Sequence, residues 1–169
     1  MRQAWAVPTL VLVRHAKADT PPGLQDIARP LSERGRADAE AAGRWLAEHV
    51  GRCDLLVTSP ARRAEETTAR LLATWGVEPP VVDEERVYEA TLGDLLRLVR
   101  GLDAGTVVLV GHNPALSALV EALTGEVCQL RTCGVAVLDV RGEWADADTT
   151  SCTLVGSHTA RADQAPDPR

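Results

Sequence analysis

The sequence predicts a single α/β domain, a three-layer sandwich in which a mainly parallel sheet carries helices on both faces. Three observations carry that expectation. Short apolar runs such as "LVLV" (10–13) and "VVLV" (107–110) have the length and β-branched content of strands buried on both sides. Between such runs lie Ala- and Leu-rich stretches with apolar residues at helical spacing. Strand and helix alternate along the chain, and 45% hydrophobic residues over 169 positions suffice to close one core.

Taken in order, Leu10–Val13 reads as a buried strand, and "TPPGLQDIARP" (20–30) is a loop by its Pro and Gly content. The stretch from Leu31 to Val50 is a helix with Ala37, Ala41, Trp45 and Leu46 near one face and Ser32 as its N-cap. "CDLLVTSP" is a second strand; Pro60 suits the first turn of a helix running to about Thr74, with Ser59 as cap. "PPVVDEE" is a weaker strand, and "TLGDLLRLVRGL" an amphipathic helix carrying Leu92, Leu95, Leu96 and Val99. "GTVVLVGHNP" is another buried strand, and Pro114 starts the helix "ALSALVEAL". "GVAVLDV" and "TSCTLVGSH" read as strands able to pair as a hairpin. The domain is expected to span residues 1–158, with 159–169 a frayed polar tail. No internal repeat, second domain or linker stands out.

Aromatic residues are only 3% and Phe is absent, so the core must be built from Leu, Val and Ala. A formal net charge of −6 argues against non-specific binding to nucleic acid or to an anionic membrane surface. Lys17 is the only lysine, so positive charge is nearly all Arg, the side chain suited to bidentate contacts with phosphate or carboxylate. Cys53, Cys128, Cys133 and Cys152 show no CxxC spacing and read as buried free thiols rather than a metal site or disulfide staples. No run approaches the roughly 18 apolar residues of a membrane span, and the N-terminal apolar stretch is too short for a signal peptide. The expected location is the cytoplasm.

Three strands end in residues suited to one chemistry. The first ends on Arg14-His15, the second leads through Ser59-Pro60 to Arg62 and Arg63, and the fourth ends on Gly111-His112-Asn113-Pro114. In a parallel sheet these ends share one edge, where ligands of such folds bind. Burying an arginine beside a histidine is costly unless an anion compensates them, and two helix N-termini aim partial positive charge at the same edge. Such a lining suits a phosphoryl group.

The segments "LVRHAKA" (12–18), "RPLSERG" (29–35), "SPARRAEET" (59–67) and "VGHNPALS" (110–117) resemble, in this order, the motifs of the histidine phosphatase superfamily. Within it, the chain is similar to the small phosphohistidine phosphatases of the SixA type, up to about residue 157. The resemblance implies the phosphoglycerate mutase-like fold, His15 as nucleophile, and Arg14, Arg63 and His112 as phosphate ligands, with Arg29 facing the pocket. Arg62 matches no family position. Ala16 stands where the signature has glycine, and can serve if its φ stays negative. The implied reaction needs neither metal nor other cofactor. Neutral His15 attacks phosphorus with one ring nitrogen while the other donates to a backbone carbonyl, and water hydrolyses the phosphohistidine formed.

Three readings stay open at this stage. They are a phosphatase for phosphohistidine on a protein partner, a phosphomonoesterase for small phosphate esters, and a non-catalytic phosphate-binding module allowed by Ala16. Glu89, between the two histidine motifs, is the candidate general acid that an alkyl phosphate would need.

Overall fold

The computed structural model describes residues 7–163. Strands β1 (Thr9–Arg14), β2 (Leu55–Thr58), β3 (Val81–Asp83), β4 (Thr106–Gly111), β5 (Gly134–Val140) and β6 (Cys152–Thr159) form one sheet in the order β3-β2-β4-β1-β5-β6. The first four strands in that order are parallel, and β5 and β6 close one side as an antiparallel hairpin. Helices α1 (Glu33–His49), α2 (Arg62–Trp75), α3 (Leu92–Arg100) and α4 (Ala115–Thr124) fill the connections. The expected α/β sandwich is the one observed.

Side-chain alternation splits the core in two, as a sheet covered on both faces requires. Leu10 and Leu12 of β1 join Val107 and Leu109 of β4 on the face covered by Leu95, Leu98 and Val99 of α3 and Leu116, Leu119 and Leu123 of α4. Val11 and Val13, with Val108 and Val110, point to the other face, under Ala39, Ala42 and Leu46 of α1 and Ala64 and Leu71 of α2.

Three local expectations need correction. Helix α1 is capped as expected, Ser32 Oγ accepting the Gly35 N–H at 3.0 Å, but its buried face is Gly35, Asp38, Ala39, Ala42, Gly43 and Leu46. The face is rotated away from Ala37, Ala41 and Trp45, because α2 packs so closely that only small residues fit between the axes. A Cβ on Gly43 would collide with the Leu71 carbonyl and the Thr74 hydroxyl of α2. Trp45 instead stacks, half-buried, between the rings of His49 and His158.

Helix α2 starts two residues later than expected, with Ala61 at the N-cap and no side-chain cap. Ser59 accepts only the Ala61 N–H at 3.2 Å and spends its hydroxyl on the site described below. At the C-terminal side, order continues past the expected boundary at 158. Thr159 closes β6, Ala160 is fully buried, and Ala162 N–H donates to the buried Asp38 carboxylate at 3.0 Å. The rest of the expected tail, 164–169, lies outside the described residues.

All four cysteines are free, Cys133 and Cys152 buried and Cys53 and Cys128 partly so. Among the described residues, no helix is long and apolar enough to cross a membrane. The parallel strands place their carboxyl ends on one edge: Arg14 sits level with Gly111, and Thr58 pairs with Val110. That edge carries the site.

Candidate active site

A cavity of about 390 Å³ opens there, lined by Arg14, His15, Arg29, Arg63, Glu89 and His112 among others. It therefore brings together the site residues that the resemblance implies, and Glu89, from five separate segments. Lys17 is also at the wall. Arg62 is not: it lies exposed on α2 in an i,i+4 pair with Glu66 at 2.8 Å.

His15 follows directly on β1. Its N–H donates to the Gly111 carbonyl at 3.0 Å, which ties the histidine to the end of β4. Its Nδ1 lies 2.7 Å from the Ala16 carbonyl. A carbonyl can only accept, so Nδ1 carries the proton and Nε2 keeps its lone pair. Burial is the largest influence on this ring and, with Arg63, Arg14 and Arg29 nearby, pushes its pKa down to about 4 against the pull of the Ala16 carbonyl. The imidazole is neutral at pH 7.

Ala16 is fully buried, and Cys133 is the one non-glycine residue with positive φ among the described residues. Alanine thus fits the signature glycine position without backbone strain. Its N–H donates to Thr67 Oγ1 at 3.0 Å, locking the turn onto α2.

His112 stands across the pocket with its ring centroid 5.1 Å from that of His15. Burial first, then His15 and Arg63, holds it neutral with a pKa down to about 3. Its Nε2 is 2.8 Å from Ser59 Oγ. Arg14 Nη1 donates to the Leu130 carbonyl at 3.1 Å, sharing that acceptor with Asn113 Nδ2 at 2.7 Å. Asn113 also caps α4, its Oδ1 accepting the Ser117 N–H at 3.1 Å.

Two participants escaped sequence reasoning. Asp26, in the loop ahead of Arg29, accepts from Arg63 through its main-chain carbonyl (2.8 Å) and its Oδ2 (3.0 Å), and from Arg29 Nη1 through Oδ1 (3.1 Å). Tyr88 donates its hydroxyl to the same Oδ2 at 2.6 Å and stands edge-on to His112. These donors, Tyr88 foremost, hold the Asp26 carboxyl well below the usual carboxylate range. The only sequence hint was an acid three residues before a pocket arginine, which is indistinguishable from a surface ion pair.

Glu89 lines the wall as an exposed residue beside Tyr88. Among the described residues, no group of three or more His, Cys, Asp or Glu side chains is placed to hold a metal ion. The arrangement offers one neutral nucleophilic nitrogen among three guanidinium groups and a second neutral imidazole. Chemically, this can accept a phosphoryl group and stabilise its equatorial oxygens.

Known proteins resemble this chain in sequence and fold. The model of the histidine phosphatase superfamily (branch 1) matches residues 10–99, a span that includes Arg14, His15, Arg29, Arg63 and Glu89. An uncharacterized protein of Mycobacterium tuberculosis is 36% identical over 162 residues, covering 88% of this chain and all of its own length. The Agrobacterium tumefaciens protein assigned as the phosphohistidine phosphatase SixA superposes with a TM-score of 0.78 at 31% identity, over 90% of this chain and 98% of that one. A Nakamurella protein with the same assignment superposes with a TM-score of 0.82 at 29% identity, over 92% and 97% of the two chains. A phosphatase-type pocket on a matching fold, with a sequence match over more than half its length, leaves one conclusion: the chain belongs to branch 1 of the histidine phosphatase superfamily and is a phosphatase.

Proposed function

We propose that the protein is a metal-independent phosphatase that works through a covalent phosphohistidine on His15, and that its substrate is phosphohistidine on a protein. The observation that carries the mechanism is the His15 tautomer. With Nδ1–H committed to the Ala16 carbonyl, Nε2 is left as a lone pair in a pocket of fixed positive charge.

In the first step Nε2 attacks phosphorus in line, the bond from phosphorus to the leaving nitrogen or oxygen breaks, and the leaving group departs with the electron pair. Arg14, Arg63, Arg29 and His112 face the equatorial oxygens. In the second step water attacks phosphorus, the P–Nε2 bond breaks, and inorganic phosphate leaves. The arginines supply charge that a metal would otherwise supply. Activity is accordingly expected to persist in EDTA and to be inhibited by vanadate; loss in EDTA restored by a divalent ion would overturn the metal-free pocket.

The choice of substrate rests on the leaving group. Imidazole leaves readily, whereas an alkoxide needs a proton donor. Among the described residues, the only carboxyls at the wall are Asp26, committed as an anion to Arg63, Arg29 and Tyr88, and the exposed Glu89. The likeness to structures assigned as SixA supports the same reading. A panel of phosphohistidine peptide, sugar phosphates, nucleotides and nitrophenyl phosphate tests it, and preference for the sugar phosphates would overturn it.

Glu89→Gln sharpens the test. Were alkyl esters the substrates, with Glu89 as acid, their hydrolysis would slow by roughly 10²-fold while nitrophenyl phosphate was spared. On the reading proposed here, phosphohistidine hydrolysis is barely affected.

A further inference from the structure

The pocket holds two neutral histidines, and neutrality leaves open which nitrogen of each carries its proton. For His15 the Ala16 carbonyl decides. For His112 the partner is a hydroxyl, which could donate or accept, and the surroundings of Ser59 resolve the ambiguity.

Ser59 is fully buried. Its Oγ already accepts one hydrogen bond, from the Ala61 N–H at 3.2 Å, where α2 begins. Among the described residues, the one remaining partner of that oxygen is His112 Nε2 at 2.8 Å. If Nε2 carried the proton, Ser59 Oγ would accept twice and its own proton would be left buried with no acceptor. Native interiors avoid that arrangement. If Nε2 carries the lone pair, Ser59 donates to it, accepts from Ala61, and every polar atom is satisfied.

We infer that Ser59 is a positioning residue: its hydroxyl donates to His112 Nε2 and thereby fixes His112 as the Nδ1–H tautomer, turning a neutral N–H donor toward the pocket. The ring lines the cavity, and Nδ1 has no hydrogen-bond partner among the described residues. The two histidines are thus held in the same Nδ1–H tautomer by two different groups, but offer opposite nitrogens to the pocket. Ala16 leaves His15 a lone pair for attack, and Ser59 leaves His112 a proton for a phosphoryl oxygen. A lone pair at His112 Nδ1 would repel that oxygen instead. The segment "SP" before α2 acquires a role that helix capping does not explain, since Ser59 does not cap α2.

The tautomer itself is a property of the folded chain. Only its use in holding phosphate rests on the phosphatase reading, so two arms separate the two. In the first, ¹⁵N-histidine two-bond correlation spectra of the wild-type protein at pH 7 are assigned to His112 by comparison with His112→Asn. A pyrrole-like Nδ1 and a pyridine-like Nε2 are expected, and the reverse pattern overturns the inference without any variant of Ser59 being needed. Ser59→Ala is expected to convert His112 to a tautomer mixture, whereas an unchanged spectrum in a folded Ser59→Ala protein overturns Ser59 as the cause.

In the second arm, inorganic phosphate is titrated into wild type and Ser59→Ala. Affinity is expected to fall about two- to fivefold in the variant, because only a fraction of the tautomer mixture still offers the Nδ1 proton. Equal affinity in a variant whose tautomer has changed overturns the functional half. Failure of the wild type to bind phosphate at all would sink the phosphatase reading, while the spectra still decide the tautomer.

Discussion

Three influences that act differently set the state of His15, the proposed nucleophile. The Ala16 carbonyl selects the tautomer, burial removes the charged form, and the arginines make protonation costlier still. On the proposed mechanism the free enzyme needs neutral His15, and burial lowers that ring to about 4, so the acid limb of kcat/KM is expected near pH 4 rather than near 6.5. A limb at 6.5 would mean that burial does not govern the nucleophile. His15→Ala is expected to abolish turnover with the fold retained, and quenching of the wild type without acid is expected to trap an acid-labile, base-stable phosphoenzyme. Full activity of His15→Ala would remove it as nucleophile. Asp26 poses the opposite problem, an anion placed against the guanidinium that should meet phosphate. Its main-chain carbonyl still holds Arg63 Nη1 when the side-chain charge is removed. Asp26→Asn should therefore strengthen vanadate inhibition by about three- to tenfold, the scale of one removed charge at an effective dielectric of some tens. Weaker inhibition would show that the carboxylate positions Arg63 more than it repels the ligand.

At the scale of elements, the site depends on how closely α1 and α2 approach, since α2 carries Arg63 and Thr67 while the turn before α1 is tied to Lys17. Ser32 N–H and Oγ both donate to the Lys17 carbonyl, at 2.9 and 3.1 Å. Where the two helices cross, Gly43 lies against the Leu71 carbonyl, and Thr74 Oγ1 donates to the Glu40 carbonyl at 2.9 Å. Gly43→Ala gains about 1 kcal/mol of helix propensity. It must nevertheless push backbone away from backbone, so a net loss of about 1–3 kcal/mol is expected in urea unfolding. A stabilised Gly43→Ala would refute the tight crossing. The loop of residues 20–30 is the other decisive element. It has no long helix or strand, only a 3-10 turn at Asp26–Ala28, yet it delivers Asp26 and Arg29 to the pocket.

For the whole molecule, the buried neutral histidines link stability to pH. In the unfolded chain they titrate near 6.5, whereas in the fold burial pushes His15 to about 4 and His112 to about 3. Their contribution is complete above 6.5. Between 6.5 and about 4 the unfolded chain binds protons that the fold refuses, so stability falls as pH falls. His158, lowered by burial and by neighbouring His49, acts in the same direction. The thermal midpoint is expected to drop from pH 7 to pH 4, and more shallowly in His112→Asn; parallel curves would contradict the linkage.

Strand positions, the alternation of helices, the N-cap of α1 and the chemistry at three strand ends are legible in the residues themselves. They follow from local rules: apolar runs, turn residues, and the cost of burying an arginine beside a histidine. The catalytic candidates were legible for the same reason, because a parallel sheet sends all its strand ends to one edge. What lay beyond the sequence came from contacts between segments far apart in the chain. The buried face of α1 was decided by α2, which tolerates only small residues between the two axes. Ser59 reads locally as a helix cap, but β4 brings His112 to it across 53 positions and the hydroxyl answers the imidazole instead. Asp26 reads as loop surface until Arg63, 37 residues on, and Tyr88, 62 residues on, close around it. Local patterns determine which elements form and which groups reach the edge. Partners for hydroxyls and carboxylates are set by distance in space, which only the packed chain defines.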